Sequence, residues 1–325
     1  PDPYFRERMP WRTGTAKLDA GPVAVVHLHG EVVRGDRVRL SLRLDRAGQG
    51  VLVALPERGS PAMEEDPMTR AMGTHVKHRR VLVTDARSEV AAPLVEALLA
   101  AGAAHVVLGE PEPWRRWPGR ARFEGREDVT LMKLDVTDPD SLKTLAGEMG
   151  GKTDILINTA RFLRPGGILG QDTIHARDEM EVNALGLMRL AQAFGPGMAA
   201  RTADGINSSA AFVTLLSAYA LTPDPRMGAF CASQAAARSV AQTLRAEFAE
   251  SGLRVVCVYS GHTEDDWHQG LPPPKVAPKA LARSVVDGLE RGLEGVDGGD
   301  AAKDLADRWR RDPAVLDREI RGEGA

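Results

Sequence analysis

Alternation with period two marks the first readable stretch of the chain. Residues 23–33 are apolar and β-branched, Arg34-Gly35-Asp36 makes a turn, and residues 37–44 alternate. Val38, Leu40, Leu42 and Leu44 share one side of that segment, and Arg37, Arg39, Ser41 and Arg43 share the other. A second turn at 48–50 leads into a third apolar run at 51–55. The pattern predicts a three-stranded antiparallel meander with one wet face, too small to stand alone and in need of cover over its apolar row. Residues 1–56 are therefore read as a β-rich extension, and 57–79, with its prolines and acids, as a linker.

From Arg80 onward, short apolar runs alternate with segments of helical period. The runs fall at 81–83, 105–108, 129–134, 155–157, 211–216 and 253–258. Helical period falls at 91–101, 138–149, 177–199 and 230–251, and two amphipathic segments follow at 278–295 and 301–320. Short buried strands separated by helices predict an α/β domain over 80–325, a Rossmann-like, doubly wound parallel sheet covered on both faces. In such a fold a ligand sits beyond the carboxyl ends of the strands, so the chemistry is sought in the residues that follow each run.

Composition narrows the classes of function. The 325 residues carry 42 Lys plus Arg and 45 Asp plus Glu, a formal net charge of -3. That balance argues against a nucleic-acid partner, which calls for a basic excess. No apolar run approaches the roughly 20 residues that span a bilayer. Residues 1–13 lack the continuous apolar stretch of a signal peptide. Two cysteines, Cys231 and Cys257, make no disulfide framework. A cytoplasmic protein is expected.

The first run is followed by Thr84-Asp85-Ala86-Arg87-Ser88-Glu89-Val90-Ala91, the third by Asp135-Val136, and the fourth by Asn158-Thr159-Ala160-Arg161. Asn183 lies inside the first long helix. Ser217-Ala218-Tyr219 follows the fifth run, with Phe230 and Gln234 further on, and Ser260-Gly261-His262-Thr263 follows the sixth. In order and spacing these motifs resemble the short-chain dehydrogenase/reductase family over about residues 80–320. The resemblance implies a nicotinamide cleft and a tyrosine–lysine proton relay, and this sequence departs from both.

The first turn of the family reads Thr-Gly-x-x-x-Gly-x-Gly. Thr84 matches, but the glycine positions hold Asp85, Glu89 and Ala91. Glycines there let the backbone approach a pyrophosphate. A carboxylate about 4–6 Å from a phosphate charge costs roughly 3–4 kcal/mol at an effective dielectric near 20. The tyrosine and lysine positions hold Phe230 and Gln234, which have no proton to give and no charge to lower a pKa. Ser217 and Asn183 match the catalytic serine and the helix asparagine of the family. Tyr219, two residues past Ser217, is a candidate substitute acid. Asp135, Val136 and Asn158 remain from the cofactor cleft, and Arg161 replaces a glycine.

The expectation is a degenerate member of the family that binds no cofactor and serves as a structural, assembly or regulatory subunit. It associates as a homodimer or hetero-oligomer through the helices at 177–199 and 230–251, with the extension docking a protein partner. The alternative is a divergent NAD(P)-dependent oxidoreductase, or a cofactor-independent lyase, hydratase or isomerase using the cleft around Ser217, Tyr219, Asn183 and His262. No metal site is expected. His262, Asp265, Asp266 and His268 read as a solvated loop, and His27 and His29 as surface histidines lacking a third ligand. The basic loop at 114–120 reads as solvated, as an anion contact, or as an interaction hot spot.

Overall fold

The computed structural model describes residues 12–44, 50–57, 73–117, 119–202, 208–271 and 273–320. Four strands, not three, build the extension: β1 (Thr13–Lys17), β2 (Val23–Leu28), β3 (Val38–Leu44) and β4 (Gly50–Pro56). Their order is β1-β2-β4-β3, so this is no meander. β4 inserts between β2 and β3, parallel to β2 and antiparallel to β3. The connection at 29–37 carries the chain past the β4 position instead of turning it straight back. Gly30 and Gly35, at φ 64° and 102°, supply the left-handed backbone it uses.

The apolar row is only partly covered. Ala16, Val26 and Ala54 are buried, Val38 and Leu40 are half-buried, and Leu42 is 70% exposed. Arg43, from the row read as solvent-facing, turns instead toward the main domain, where its guanidinium donates to the Glu290 carbonyl at 3.5 Å. The second half of the predicted linker also belongs to the main domain. Val76 is fully buried in its core, the Thr74 hydroxyl donates to the Leu289 carbonyl, and His75 Nδ1 lies 2.7 Å from Glu290. Arg79 is buried as well and donates to Ser208.

The six apolar runs become strands of one parallel sheet. In chain order the elements are β5 (Arg80–Val83), α1 (Ala91–Ala100), β6 (His105–Glu110), β7 (Val129–Lys133), α2 (Pro139–Met149) and β8 (Ile155–Asn158). Then come α3 (Thr173–Met180), α4 (Gly186–Ala200), β9 (Ala211–Ser217), α5 (Gly228–Glu247), β10 (Arg254–Ser260) and α6 (Pro278–Glu290). A short strand, β11 (Gly295–Gly298), and two helices, α7 (Asp300–Arg311) and α8 (Pro313–Ile320), complete the domain. The strand order is β11-β10-β9-β8-β5-β6-β7. The direction of winding reverses between β5 and β8, and a crevice opens at their carboxyl ends.

Alternate strand residues feed two cores. Val81, Val83, Val106, Leu108, Ile155 and Ile157 pack on one face with Leu94 and Leu98 of α1 and Leu281 of α6. Leu82, Val107, Leu156 and Phe212 pack on the other with Leu187, Leu190 and Phe194 of α4. Helix α2 begins as its sequence directs. The Asp138 side chain accepts from the Asp140 amide, and Pro139 takes the first turn. The helix expected at 177–199 is instead α3 and α4 joined by a π-helical turn, Glu181–Leu185, that holds Asn183. Among the described residues no helix is long and apolar enough to cross a membrane.

One buried carboxylate clamps the amino ends of the sheet. Asp154 is almost wholly buried and accepts from the Arg80 backbone at 2.9 Å, from its guanidinium at 2.9 and 3.1 Å, and from Arg201 at 2.6 Å. Removing one member of such a set leaves the other charges unpaired at a cost of about 3 kcal/mol or more. Asp154→Ala is therefore expected to lower the unfolding free energy measured in urea by that amount, at unchanged slope. An unfolding free energy within about 0.5 kcal/mol of the parent contradicts the clamp.

Candidate functional site

The crevice is held open by a knot at its base. The Thr84 hydroxyl donates to Asn158 Oδ1 at 2.9 Å and accepts from the amides of Thr159 and Ala160 at 3.0 and 3.2 Å. The Asp85 amide donates to the Thr159 hydroxyl at 3.1 Å. Gly109 of β6 is required beside it, because a Cβ there meets the Thr84 carbonyl oxygen at 2.3 Å. Thr84 and Asn158 are thus scaffold, joining β5 to β8.

The turn after Thr84 is occupied by its own side chains. Asp85 accepts from the Arg87 amide at 2.9 Å and lies 3.7 Å from its guanidinium. Burial pushes the Asp85 carboxyl above the usual range, against the pull of Arg87. Arg87 and Arg115 both meet Glu112, at 3.0 and 3.3 Å. Glu89 is exposed at the mouth and Ala91 is buried in the first turn of α1. Asp85, Arg87, Glu89, Glu112 and Arg115 line a cleft of about 470 Å³ with Phe162, Leu215 and Leu281 among its apolar walls.

Arg161 crosses the far side of this cleft. Its guanidinium donates to Asp265 Oδ2 at 3.1 Å and to the Thr263 hydroxyl at 3.2 Å. Thr263 also donates to Asp265, and His268 Nδ1 lies 2.6 Å from the same carboxylate. Burial opposes ionisation of Asp265, but these hydrogen bonds and Arg161 outweigh it and hold the carboxyl at about 2. The loop read as solvated is therefore mostly buried. His262, Asp265 and His268 are all inside, and only Asp266 of the four is exposed. Among the described residues no three His, Cys, Asp or Glu side chains converge on a metal position. His29, read as a surface residue, is fully buried.

The relay positions are absorbed by the core. Phe230 is 1% exposed among Leu163, Met227, Cys231 and Leu271. Gln234 is buried, and its Oε1 accepts from the Ser217 amide at 2.8 Å. The Ser217 hydroxyl in turn accepts from the Tyr219 amide at 3.2 Å, capping the short turn at Ala218–Ala220. Asn183 donates to the Phe162 carbonyl and to Ser233, and accepts from the Phe162 amide, each at 2.8 Å. Asp135 is likewise committed, accepting from the Thr137 amide and hydroxyl at 2.8 and 2.7 Å. Val136 packs against Gly186 so closely that a Cβ there meets its side chain at 2.9 Å.

Tyr219 directs its hydroxyl at another titratable side chain. Its Oη is 3.1 Å from His262 Nε2. Asp224, which the sequence reading passed over, lies 3.6 Å from the same nitrogen and is paired with Arg226. The one signal for it was an acid within Pro223-Asp224-Pro225-Arg226, just past the Ser217 turn. Two arginines of the basic loop at 114–120 are paired with carboxylates that flank it. Arg115 meets Glu112, and Arg120 meets Glu110 at 2.9 Å and Glu124 at 2.5 Å, so these two guanidiniums are not waiting for an anion.

Comparison with known proteins agrees with this frame. A family model described as short chain dehydrogenase matches residues 79–274. An uncharacterized oxidoreductase of Mycobacterium tuberculosis is 31% identical over 199 residues, covering 58% of this chain and 56% of its own. The 1-deoxy-11-beta-hydroxypentalenate dehydrogenase of Streptomyces exfoliatus is 28% identical over 209 residues, covering 62% of this chain and 74% of its own. The chain spans a little over half the length of the first curated relatives it matches, 54% and 56%. Among solved structures, a short chain dehydrogenase of Burkholderia cenocepacia in complex with NADP has a TM-score of 0.68 at 28% identity, over 76% of this chain and 98% of that one. With 79–274 matched by that model and the fold shared with the Burkholderia structure, the chain belongs to the short-chain dehydrogenase family of oxidoreductases.

Proposed function

We propose that this chain does not carry out the hydride transfer of its family. One observation carries the reading: both positions of the expected proton relay are built into the fold, Phe230 inside an apolar cluster and Gln234 hydrogen-bonded to the Ser217 amide. The cofactor side supports it. A dinucleotide pyrophosphate does not fit a turn that carries Asp85 and Glu89, and Arg161 spans the cleft to Asp265. The NADP of the Burkholderia structure belongs to that protein.

Two roles are compatible with the loss. In the first, the chain is a structural, assembly or regulatory subunit. The two long helices support an association surface, with Met188 of α4 40% exposed beside a groove of about 520 Å³ between α4 and α5. The half-covered sheet of the extension then docks a protein partner. In the second, the cleft works without a cofactor as a lyase, hydratase or isomerase. The Tyr219–His262 contact favours the second role.

Calorimetric titration with NADH and with NADPH is expected to give no heat at submillimolar nucleotide. Micromolar affinity for either overturns the reading and restores a divergent oxidoreductase.

Writing the relay back in is expected to fail. Phe230→Tyr with Gln234→Lys supplies a phenol and an ammonium, but it leaves the turn at Asp85 and Glu89 unchanged. It also strips the buried Ser217 amide of its acceptor, at a cost of roughly 1–3 kcal/mol. The double variant should unfold earlier in urea and should not oxidise NADPH with small ketones. Turnover above the no-enzyme rate contradicts the account of the turn.

A further inference from the structure

A dense group of buried titratable side chains lies where the turn after β9 meets the loop after β10. Tyr219 and His262 stack with ring centroids 4.7 Å apart, and the phenol oxygen is 3.1 Å from Nε2. Asp224 stands 3.6 Å from that nitrogen, held from its other side by Arg226 at 2.6 and 2.9 Å. The His268 ring is 5.4 Å from His262 and is bonded to Asp265, which Arg161 meets. His262 and Asp224 are each more than nine-tenths buried, whereas Tyr219 is half-buried. Among the described residues the second ring nitrogen of His262, Nδ1, is buried without a hydrogen-bond partner. The large majority of buried side-chain polar atoms have a hydrogen-bond partner. Here one nitrogen faces both a phenol and a carboxylate, and the other is open.

We propose that Tyr219 is the acid–base group of this cleft, that His262 relays its proton, and that the substrate is a neutral, apolar ketone with an acidic C–H beside its carbonyl. This deepens the isomerase reading and rests on it. The wall around Tyr219 is apolar, made by Leu163, Met227, Phe230 and Leu271. The chain links it to the cleft at two places. Phe162 and Thr263 line the cleft, and their chain neighbours Leu163 and His262 pack beside Tyr219. Burial, reinforced by Asp224, raises the Tyr219 pKa, so the phenol stays protonated near neutrality and suits a carbonyl acceptor.

The step is an enolisation. The C–H bond beside the carbonyl breaks, its proton passes to water, and its electron pair becomes the C=C bond. The carbonyl π pair takes the Tyr219 proton to give the enol O–H. His262 returns a proton to the phenolate across 3.1 Å and recovers one from water through the half-buried phenol once the enol leaves, while Asp224 stabilises the imidazolium. Nothing is oxidised or reduced.

The test uses the full chain in D2O without nucleotide, with 2-indanone and phenylacetone as probes. Loss of the α-proton signals is followed by NMR. Exchange should run faster than in buffer alone, fall at least about tenfold in Tyr219→Phe, and shift its pH–rate profile in His262→Gln. With 3-fluorotyrosine at 219, the fluorine titration midpoint should move on His262→Gln, which tests the contact itself, whereas the shifted pH–rate profile is the readout that a merely structural contact does not give. Exchange at the buffer rate, equal exchange in Tyr219→Phe, or an unmoved midpoint overturns the proposal. Because no nucleotide is present, binding of NADPH refutes the loss of hydride transfer separately from this result.

Discussion

The site depends first on how Thr84 ties β5 to β8. Its hydroxyl spends its hydrogen on Asn158 and its lone pairs on the Thr159 and Ala160 amides, at the point where the sheet reverses direction. Polar groups buried at the ends of central strands need partners, and this knot supplies them internally. It therefore survives whatever happens to the residues after it. Asp85, Glu89 and Arg161 are free to differ from a phosphate-binding pattern because the crevice is built by Thr84, Asn158 and Gly109, not by the groups that line it.

The same separation of frame and lining explains the relay. Helix α5 still delivers positions 230 and 234 to the end of β9. A phenylalanine at the first extends the apolar cluster, and a glutamine at the second satisfies the Ser217 amide. Close by, Tyr219 and Asp224 each approach the same nitrogen of His262.

Much of the main domain was legible because its strands are buried on both faces, so the apolar runs stand out unbroken. Six strands were visible that way. The seventh, β11, is Gly295-Val296-Asp297-Gly298, an edge strand with one apolar side chain and no periodic signal. The extension was misread for a different reason. Alternation reports which side a residue faces, not which strand it pairs with, so β2 beside β4 and Arg43 turned inward were beyond its reach. In the site, the substitutions at Asp85, Phe230 and Gln234 were plain, but their new partners were not. The Arg161–Asp265 pair joins residues far apart in sequence, and a loop rich in His and Asp reads as solvated until the fold encloses it.

The central claim is that the nucleotide seat is filled from within the chain. A crystal structure grown in millimolar NADPH tests it most directly. The account predicts Arg161 on Asp265 and no nucleotide density over the turn from Thr84 to Val90. Pyrophosphate density on that turn, with Arg161 swung away from Asp265, contradicts it.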